Sequence, residues 1–455
     1  MTDVVCISPV DGREAARRPA ATDAAVDAAL GRARKAQKEW AHRPVKDRIA
    51  LVMKFMDAML AMNQEIVPEL AVQMGRPVRY GGEFRGFEER VRYIAGIAEE
   101  SLKPVPPADD RPGFKRYIKR DPLGLVFVVA PWNYPYLTAV NTIAPALIAG
   151  IAVFLKHAAQ TLLVGERFQT AMDRAGMPAG LFQNLVLTHD QTARILSSGS
   201  VDHANFTGSV AGGKAIERAA AGSFTSLGLE LGGKDPAYVR ADANLPHAIE
   251  NLVDGAFYNS GQCCCGIERI YVDAKVYDDF LEGFNALTRK YVLGNPLDEA
   301  TTLGPMAHAR FAATVREQTA EALDAGLIDL IAADQSELLG KLDGFEVRGP
   351  KRTTLDTTGW SVAERDMPLR YEVLQVLVNP NVAYLLLLVG LIGIALEIFS
   401  PGAIVPGLVG GVSLALGLIG TLQLPVAAVG VLLLVLAFVL FIAEAHLPTG
   451  GLLGV

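Results

Sequence analysis

The chain has 455 residues, a hydrophobic content of 51% and a formal net charge of −7. It carries no block of lysine or arginine residues, and binding to phosphate backbones needs clustered cations, so nucleic acid is excluded as a partner. Three of the four cysteines are adjacent. This spacing does not suit a disulfide framework and indicates free thiols in a reducing compartment.

The apolar residues are concentrated in the last part of the chain. After Glu372 only Glu397 and Glu444 carry a formal charge, whereas the earlier sequence mixes polar and apolar residues as soluble proteins do. The change between the two kinds of sequence falls between Glu321 and Asp329. The first residues lack the cationic flank and apolar run of a secretory signal. We therefore expect a cytoplasmic soluble part followed by a membrane part.

The soluble part begins with two segments of helical periodicity, 22–39 and 46–63, the first with Thr22 as its N-cap. Beyond a proline-rich stretch at 103–107, short apolar runs alternate with predicted helices at Thr138–Ala149 and 161–175. This alternation predicts an α/β fold with a doubly wound parallel sheet. The predicted strands are Leu125–Ala130, Ala152–Lys156, Leu181–Leu187, Ala204–Thr207, Leu227–Leu231, Pro236–Val239 and Arg269–Val272.

Three apolar segments follow, at about Val382–Phe399, Ala403–Leu422 and Val426–Ala443. As helices each would be about 27–30 Å long, which matches the hydrocarbon core of a bilayer. We interpret them as a bundle of about three transmembrane helices in a lipid bilayer; buried helices of a soluble core are the alternative. Gly407 and Gly411 lie four residues apart and would let two such helices approach closely.

Four cations precede the first apolar segment and favour a cytoplasmic entry to it, because cytoplasmic loops of membrane proteins are enriched in lysine and arginine. They are Lys351, Arg352, Arg365 and Arg370.

The sequence from Gly261 to Gly266 carries the strongest chemical signal, since it encloses three adjacent cysteines. A thiolate is a good nucleophile, and nearby amide donors lower the pKa of a thiol. The alternatives are small core residues, an oxidation-prone accident, or metal ligands. A metal does not suit the pattern, because zinc sites space their ligands by two or more residues.

Three further segments offer catalytic or binding groups. Glu230 lies between leucines at the end of a strand, where apolar surroundings would raise the pKa of a carboxyl and suit a general base; a solvent-facing glutamate is the alternative. Pro131–Pro135 follows the first strand of the sheet, where ligand sites of parallel sheets lie. The segment from Gly208 to Lys214 opens a helix whose amides could hold a phosphate, but Ala215 lacks the hydroxyl of a nucleotide triphosphatase.

Together these segments resemble the aldehyde dehydrogenase superfamily over about residues 5–326. The resemblance rests on five motifs in the family's order. They are Pro131–Asn133, Lys156, Phe206–Ser209, Glu230–Lys234 and Gly261–Cys264.

The resemblance implies oxidation of a small-molecule aldehyde to an acid. Cys264 would attack the carbonyl, the Asn133 side chain and the Cys264 amide would form the oxyanion hole, and Glu230 would activate water. It also implies NAD or NADP as cofactor and a homo-oligomer as the assembly.

The implied cofactor site has four members. Lys156 would contact the adenosine ribose, Ser209 and the helix start after Gly208 would lie near the pyrophosphate, and Trp132 would complete the site.

The last part of the chain, from about residue 322, resembles NfeD-type membrane proteins. The two resemblances divide the chain into a Rossmann-like NAD(P)-binding domain (1–230), a partial catalytic domain with the nucleophile (231–326), a linker like the end of an NfeD-type protease domain (327–378) and a transmembrane region (379–455). The dehydrogenases' Glu-x-Phe-Gly-Pro segment, which binds the nicotinamide ribose, has no counterpart here. We therefore expect the sheet with Cys264 to expose apolar faces.

Three hypotheses about function stay open. The chain is a membrane-tethered aldehyde dehydrogenase, a non-catalytic membrane protein of the NfeD type, or a chimeric gene product without a selected function. Because the nicotinamide-ribose segment and much of the catalytic domain have no counterpart, we expect low activity or none.

Overall fold

The computed structural model describes residues 2–108, 113–325, 332, 335–347, 353–357, 380–399 and 405–422. The chain divides into two compact units, Met1–Asp329 and Leu330–Val455. The predicted span Val426–Ala443, most of the linker 327–378 and its four cations lie outside the described residues.

In the first unit, apolar strands alternate with amphipathic helices. Its strands are β1 (Asp3–Ile7), β2 (Glu14–Pro19), β3 (Leu125–Val129), β4 (Ala152–Lys156), β5 (Phe182–Asn184), β6 (His203–Gly208), β7 (Ser226–Leu231), β8 (Asp235–Val239) and β9 (Ile267–Val272). Its helices are α1 (Asp23–Ala41), α2 (Val45–Leu60), α3 (Asn63–Met74), α4 (Phe84–Ser101), α5 (Pro135–Ile148), α6 (Leu162–Arg174), α7 (His189–Ser197), α8 (Val210–Ala220), α9 (Leu245–Phe257), α10 (Tyr277–Thr288) and α11 (Ala309–Asp324).

Five parallel strands form the central sheet in the order β5-β4-β3-β6-β7. From β3 the chain moves outward through β4 to β5, and then crosses back to place β6 on the other side of β3. This reversal defines a switch point between β3 and β6, the position at which open parallel sheets bind ligands. The predicted doubly wound sheet is therefore confirmed.

The core lies where the sheet is covered on both faces. Every residue of β3 and β4 is buried, and the side chains of Trp40, Phe127, Phe154 and Phe168 are 0–1% exposed. The Trp40 indole donates to the Leu147 carbonyl at 2.7 Å, which ties α1 to the end of α5. Strands buried on both faces read as continuous apolar runs, and this explains why these two were predictable.

Strands β8 and β9 correct the prediction of one sheet, since they pair only with each other among the described strands. Their outer face is open: Tyr238 is 65% and Tyr271 52% exposed. The expectation that the sheet beside the cysteines exposes apolar surface is thus confirmed.

The described part of the second unit contains α12 (Gln335–Leu342), the short pair β10 (Glu346–Val347) and β11 (Thr353–Thr354), and two apolar helices, α13 (Pro380–Phe399) and α14 (Val405–Leu422). Helices α13 and α14 form an antiparallel hairpin, since Gly390 meets Leu414 while Glu397 meets Gly407. Counted over the residues that the structure describes, no helix reaches the length and apolarity that crossing a membrane demands.

Glycines set the close approach of the hairpin. A β-carbon at Gly410 would lie 2.8 Å from the Ile394 nitrogen, and one at Gly407 would lie 2.8 Å from Cγ of Glu397. Gly411 faces open space. Between α13 and α14 the close contacts are therefore made by Gly407 and Gly410 rather than by Gly411.

Candidate active site

The predicted site residues gather at the carboxyl edge of the central sheet. Trp132 and Asn133 follow β3, Lys156 ends β4, and Gly208 ends β6. Glu230 is the penultimate residue of β7. Because the carboxyl ends of parallel strands share one edge, the loops on either side of the switch point face the same crevice.

Asn133 holds the loop that carries the cysteines. Its side-chain amide donates to the Gln262 carbonyl at 3.1 Å, and its Oδ1 atom accepts from the Tyr134 amide at 3.0 Å. The Asn259 side-chain amide donates to the Asn133 carbonyl at 3.1 Å. The segment after β3 and the cysteine loop are therefore bonded directly, 126 to 129 residues apart in sequence.

A turn of three residues in the left-handed region leads into the cysteine loop. Asn259, Ser260 and Gly261 have φ values of 53°, 58° and 72°, a region that is costly for residues other than glycine. The Ser260 hydroxyl donates to the Gly304 carbonyl at 2.8 Å, and the Gln262 side-chain oxygen accepts from the Ala307 amide at 2.8 Å. These bonds stabilise the turn against its conformational cost.

The three sulfur atoms of the loop lie together. The Sγ atoms of Cys263 and Cys265 are 3.3 Å apart, and Cys264 is exposed. Hydrogen bonding to Cys263, together with burial, raises the pKa of the Cys265 thiol to about 12. Burial and a hydrogen bond to Cys263 raise the pKa of the Tyr134 hydroxyl. Burial also raises the pKa of Cys6 to about 11, so that this thiol is a poor nucleophile.

The segment that carries Glu230 packs against the cysteine loop. The Glu230 side chain is exposed, so the apolar enclosure expected from its two leucines is absent. Farther along the same segment, a β-carbon at Gly233 would lie 2.6 Å from the Cys264 carbonyl oxygen. Only glycine allows this approach, and the segment after β7 therefore packs directly on the cysteine loop.

Lys156 lines a cavity of about 240 Å³ with Asn184, Thr188 and His189. Its side chain is buried, and burial lowers the pKa of its ammonium group. The cavity lies at the carboxyl ends of β4 and β5 and beside the start of α7. A polar ligand that supplies a hydrogen-bond acceptor fits this ammonium group.

Gly208 and Ser209 form the turn from β6 into α8. The Ser209 hydroxyl caps the helix by accepting from the Gly212 amide at 3.1 Å. β-carbons at Gly208 and Gly212 would each lie 2.6 Å from the Phe206 ring. Because these residues are glycines, the ring can pack against the start of the helix. The uncapped amides of α8 can bind an anion.

Trp132 stacks on Phe311 of α11, with ring centroids 5.2 Å apart and planes at 17°. This contact covers one face of the indole and attaches α11 to the loop after β3.

A buried ion pair that no sequence motif indicates supports the loop after β3. Arg76 and Glu83 bond to each other and are 3% and 4% exposed. The carboxylate of Glu83 also accepts from the amides of Tyr136 and Leu137 at 3.1 and 2.8 Å, at the start of α5. Burial raises the pKa of the Glu83 carboxyl, and the guanidinium and the two amides oppose that rise.

The same ion pair reaches Asn133. The Arg76 guanidinium donates to the Asn133 carbonyl at 2.7 Å and lies 5.1 Å from the centre of the Tyr134 ring. Glu83 has a φ of 69°, a strained value for a residue with a side chain. The pair therefore fixes the position from which the Asn133 amide is presented.

His157 connects the segment after β4 to the start of α5. Its Nδ1 atom accepts from the Ala158 amide at 3.0 Å, so Nε2 carries the proton and donates to the Pro135 carbonyl at 3.3 Å. Burial lowers the pKa of this imidazole to about 4. The ring is therefore neutral at physiological pH.

We expect Glu83→Gln to lower the free energy of unfolding by about 3–5 kcal/mol, because it leaves the Arg76 charge buried without its partner. The matched control is Glu88→Gln, whose partner Arg92 is 55% exposed, and it should cost less than about 1 kcal/mol. Urea unfolding followed by tryptophan fluorescence measures both. Equal losses in the two variants would contradict the assignment.

We expect His157→Gln to flatten the pH dependence of stability. The folded-state pKa of about 4 lies below the ordinary 6.5, so wild-type stability is complete above pH 6.5 and falls as pH drops toward 4. The loss between pH 7 and pH 5 is about 2 kcal/mol, and the variant should lack it. Parallel stability profiles of the two proteins would rule out this role.

Comparison with known proteins agrees with the two-part sequence. Residues 2–342 match the model of the aldehyde dehydrogenase family, beyond the limit of about 326 that the motifs indicate. Residues 381–455 match the model of the NfeD integral membrane domain. The two families inferred from the sequence are confirmed, but the NfeD match begins at residue 381 rather than at about 322. Residues 327–342, predicted as part of an NfeD-type linker, lie within the aldehyde dehydrogenase match.

Several similar proteins are named for the aldehydes they oxidise. Betaine aldehyde dehydrogenase of Rhizobium etli is 33% identical over 67% of this chain and 63% of its own length. The NADP-dependent succinate-semialdehyde dehydrogenase of Mycobacterium avium is 32% identical over 71% of this chain and 69% of its own.

Solved structures agree with these matches. The NAD-dependent aldehyde dehydrogenase of Sinorhizobium meliloti has 30% identity and a TM-score of 0.67, over 71% of this chain and 65% of that structure. The chain thus spans less than two thirds of some of the relatives it matches. With the family model and these relatives in agreement, the chain belongs to the aldehyde dehydrogenase family.

Proposed function

We propose that the first unit oxidises a small-molecule aldehyde to a carboxylic acid with NAD or NADP. The observation that carries this proposal is the direct bond between the Asn133 amide and the Gln262 carbonyl. It places an amide donor beside the loop of an exposed cysteine, as stabilisation of an oxyanion requires.

The proposed chemistry begins at Cys264. Its thiolate adds to the aldehyde carbonyl carbon, and the oxygen that gains the charge is stabilised by the Asn133 side chain and the Cys264 amide. Hydride departs from the same carbon and leaves a thioester on the cysteine. Water, deprotonated by Glu230, attacks that thioester and releases the acid and the thiol.

A nicotinamide cofactor, when bound, supplies the hydride acceptor. The residues present suit such a group. The buried Lys156 ammonium faces a cavity at the sheet edge, and the start of α8 offers amides at the switch point. Trp132 borders the crevice after β3. We propose these residues as the cofactor site, together with Gly208 and Ser209.

We expect the purified chain to form NADH slowly, because the nicotinamide-ribose segment of the family has no counterpart in the sequence. Cys264→Ala should lower this rate by about 10³-fold or more, whereas the control Cys265→Ala should retain most of it. Mass spectrometry of chain incubated with aldehyde and NAD should find an acyl group on Cys264. Equal rates in wild type and Cys264→Ala would refute the proposal.

We further propose that residues 379–455 insert into a lipid bilayer as about three helices, with the first unit on the cytoplasmic side. The match to the NfeD membrane domain and the absence of charge between Glu397 and Glu444 support this. The described helices alone do not meet the requirements of a span. The exposed Tyr238 and Tyr271 favour self-association of the first unit as a homo-oligomer.

The membrane proposal predicts that the full chain stays in the membrane pellet after alkaline carbonate extraction. The double variant Leu388→Arg, Ile392→Arg should release it, since each such charge costs about 2.5–3.5 kcal/mol at the centre of a spanning helix. The control is Ile97→Arg on α4, which is 43% exposed and should leave extraction unchanged. Full extraction of the wild type would reject the insertion.

A further inference from the structure

The three thiols of the cysteine loop form a cluster whose geometry exceeds the needs of one nucleophile. Their Sγ atoms all lie within 4.8 Å of one another, although the residues are consecutive. Cys264 and Cys265 are exposed and Cys263 is half-buried. The three sulfur atoms therefore lie close together and are accessible to solutes.

The spacing of the sulfurs suits a shared ion. In a three-coordinate thiolate site with metal–sulfur bonds of about 2.3 Å, the sulfurs stand about 4 Å apart. The observed separations, from 3.3 Å between Cys263 and Cys265 up to a limit of 4.8 Å, bracket this value. Small rotations of the side chains would close the site.

The loop that carries the sulfurs is held before any ligand arrives. Gln262, directly before the cluster, is bonded through its carbonyl to Asn133 and through its side chain to Ala307. Ser260 is bonded to Gly304. Binding an ion therefore requires little ordering of the backbone, and preorganisation of this kind favours affinity.

We propose that Cys263, Cys264 and Cys265 form a three-thiolate site for a soft metal ion, of which Cu(I) and Zn(II) are the biological examples. An all-sulfur donor set selects such ions over Mg²⁺ or Ca²⁺, which require oxygen ligands. The sequence argument against a metal was that zinc ligands are usually separated by two or more residues along the chain. In the structure, however, the sulfurs of consecutive cysteines lie close enough together to share an ion.

Metal binding has a consequence for the chemistry, and this consequence rests on the proposed function. The ion uses the sulfur of Cys264, which is the proposed nucleophile. An aldehyde and the metal therefore compete for one atom, and metal loading would switch off oxidation. The binding site itself does not depend on that function.

The test is titration of the reduced full chain with Cd(II), a spectroscopic probe for thiolate sites, in the absence of aldehyde and cofactor. We expect one ion per chain and an ultraviolet charge-transfer band of the intensity of three cadmium–thiolate bonds. Cys263→Ser, Cys264→Ser and Cys265→Ser should each weaken binding by about tenfold or more and remove about a third of the band. Circular dichroism verifies that each variant is folded.

The control is Cys6→Ser, which keeps the donor to the Gln160 carbonyl and should leave the titration unchanged. The proposal is overturned if the band survives Cys263→Ser or Cys265→Ser at full strength. It is equally overturned if no band forms while a thiol reagent still labels all three cysteines. If Cd(II) binds but the metal-free chain forms no NADH from aldehyde and NAD, that result counts against the proposed oxidation alone.

Discussion

The candidate site depends on one buried ion pair. Arg76 and Glu83 are almost without solvent contact, and neither charge could be buried without the other. Glu83 occupies the start of α5, and Arg76 holds the Asn133 carbonyl. The segment after β3 thus has a fixed position, although it is a loop. The strained φ of Glu83 is maintained by these contacts.

The cysteine loop gains its position from that segment rather than from its own sheet. Strands β8 and β9 are open on one face, whereas β3 is buried throughout. The bond from Asn133 to Gln262 connects the less covered part to the rigid one. The proposed nucleophile and the proposed oxyanion donor are therefore positioned by a single hydrogen-bonded unit, which would suit catalytic geometry.

The features that could be predicted from the sequence are those with a regular pattern of apolar and polar residues. Strands β3 and β4 were found because apolar residues occupy both of their faces, and the site residues fell at the sheet edge because strand ends determine that edge. The contacts of Arg76 with Glu83 and with Asn133 had no periodic signal, since Asn133 lies 57 residues from Arg76 in sequence. The open surroundings of Glu230 and the choice of Gly410 over Gly411 were equally hidden, because packing alone decides them.

The contacts made by Gly304, Ala307 and Phe311 bear on how the two families were joined. These residues supply the partners of Ser260, Gln262 and Trp132, and all of them precede the change of sequence at Glu321–Asp329. A gene fusion upstream of Gly304 would have removed the supports of the cysteine loop. A junction beyond α11 spares them, which agrees with the end of the aldehyde dehydrogenase match at residue 342.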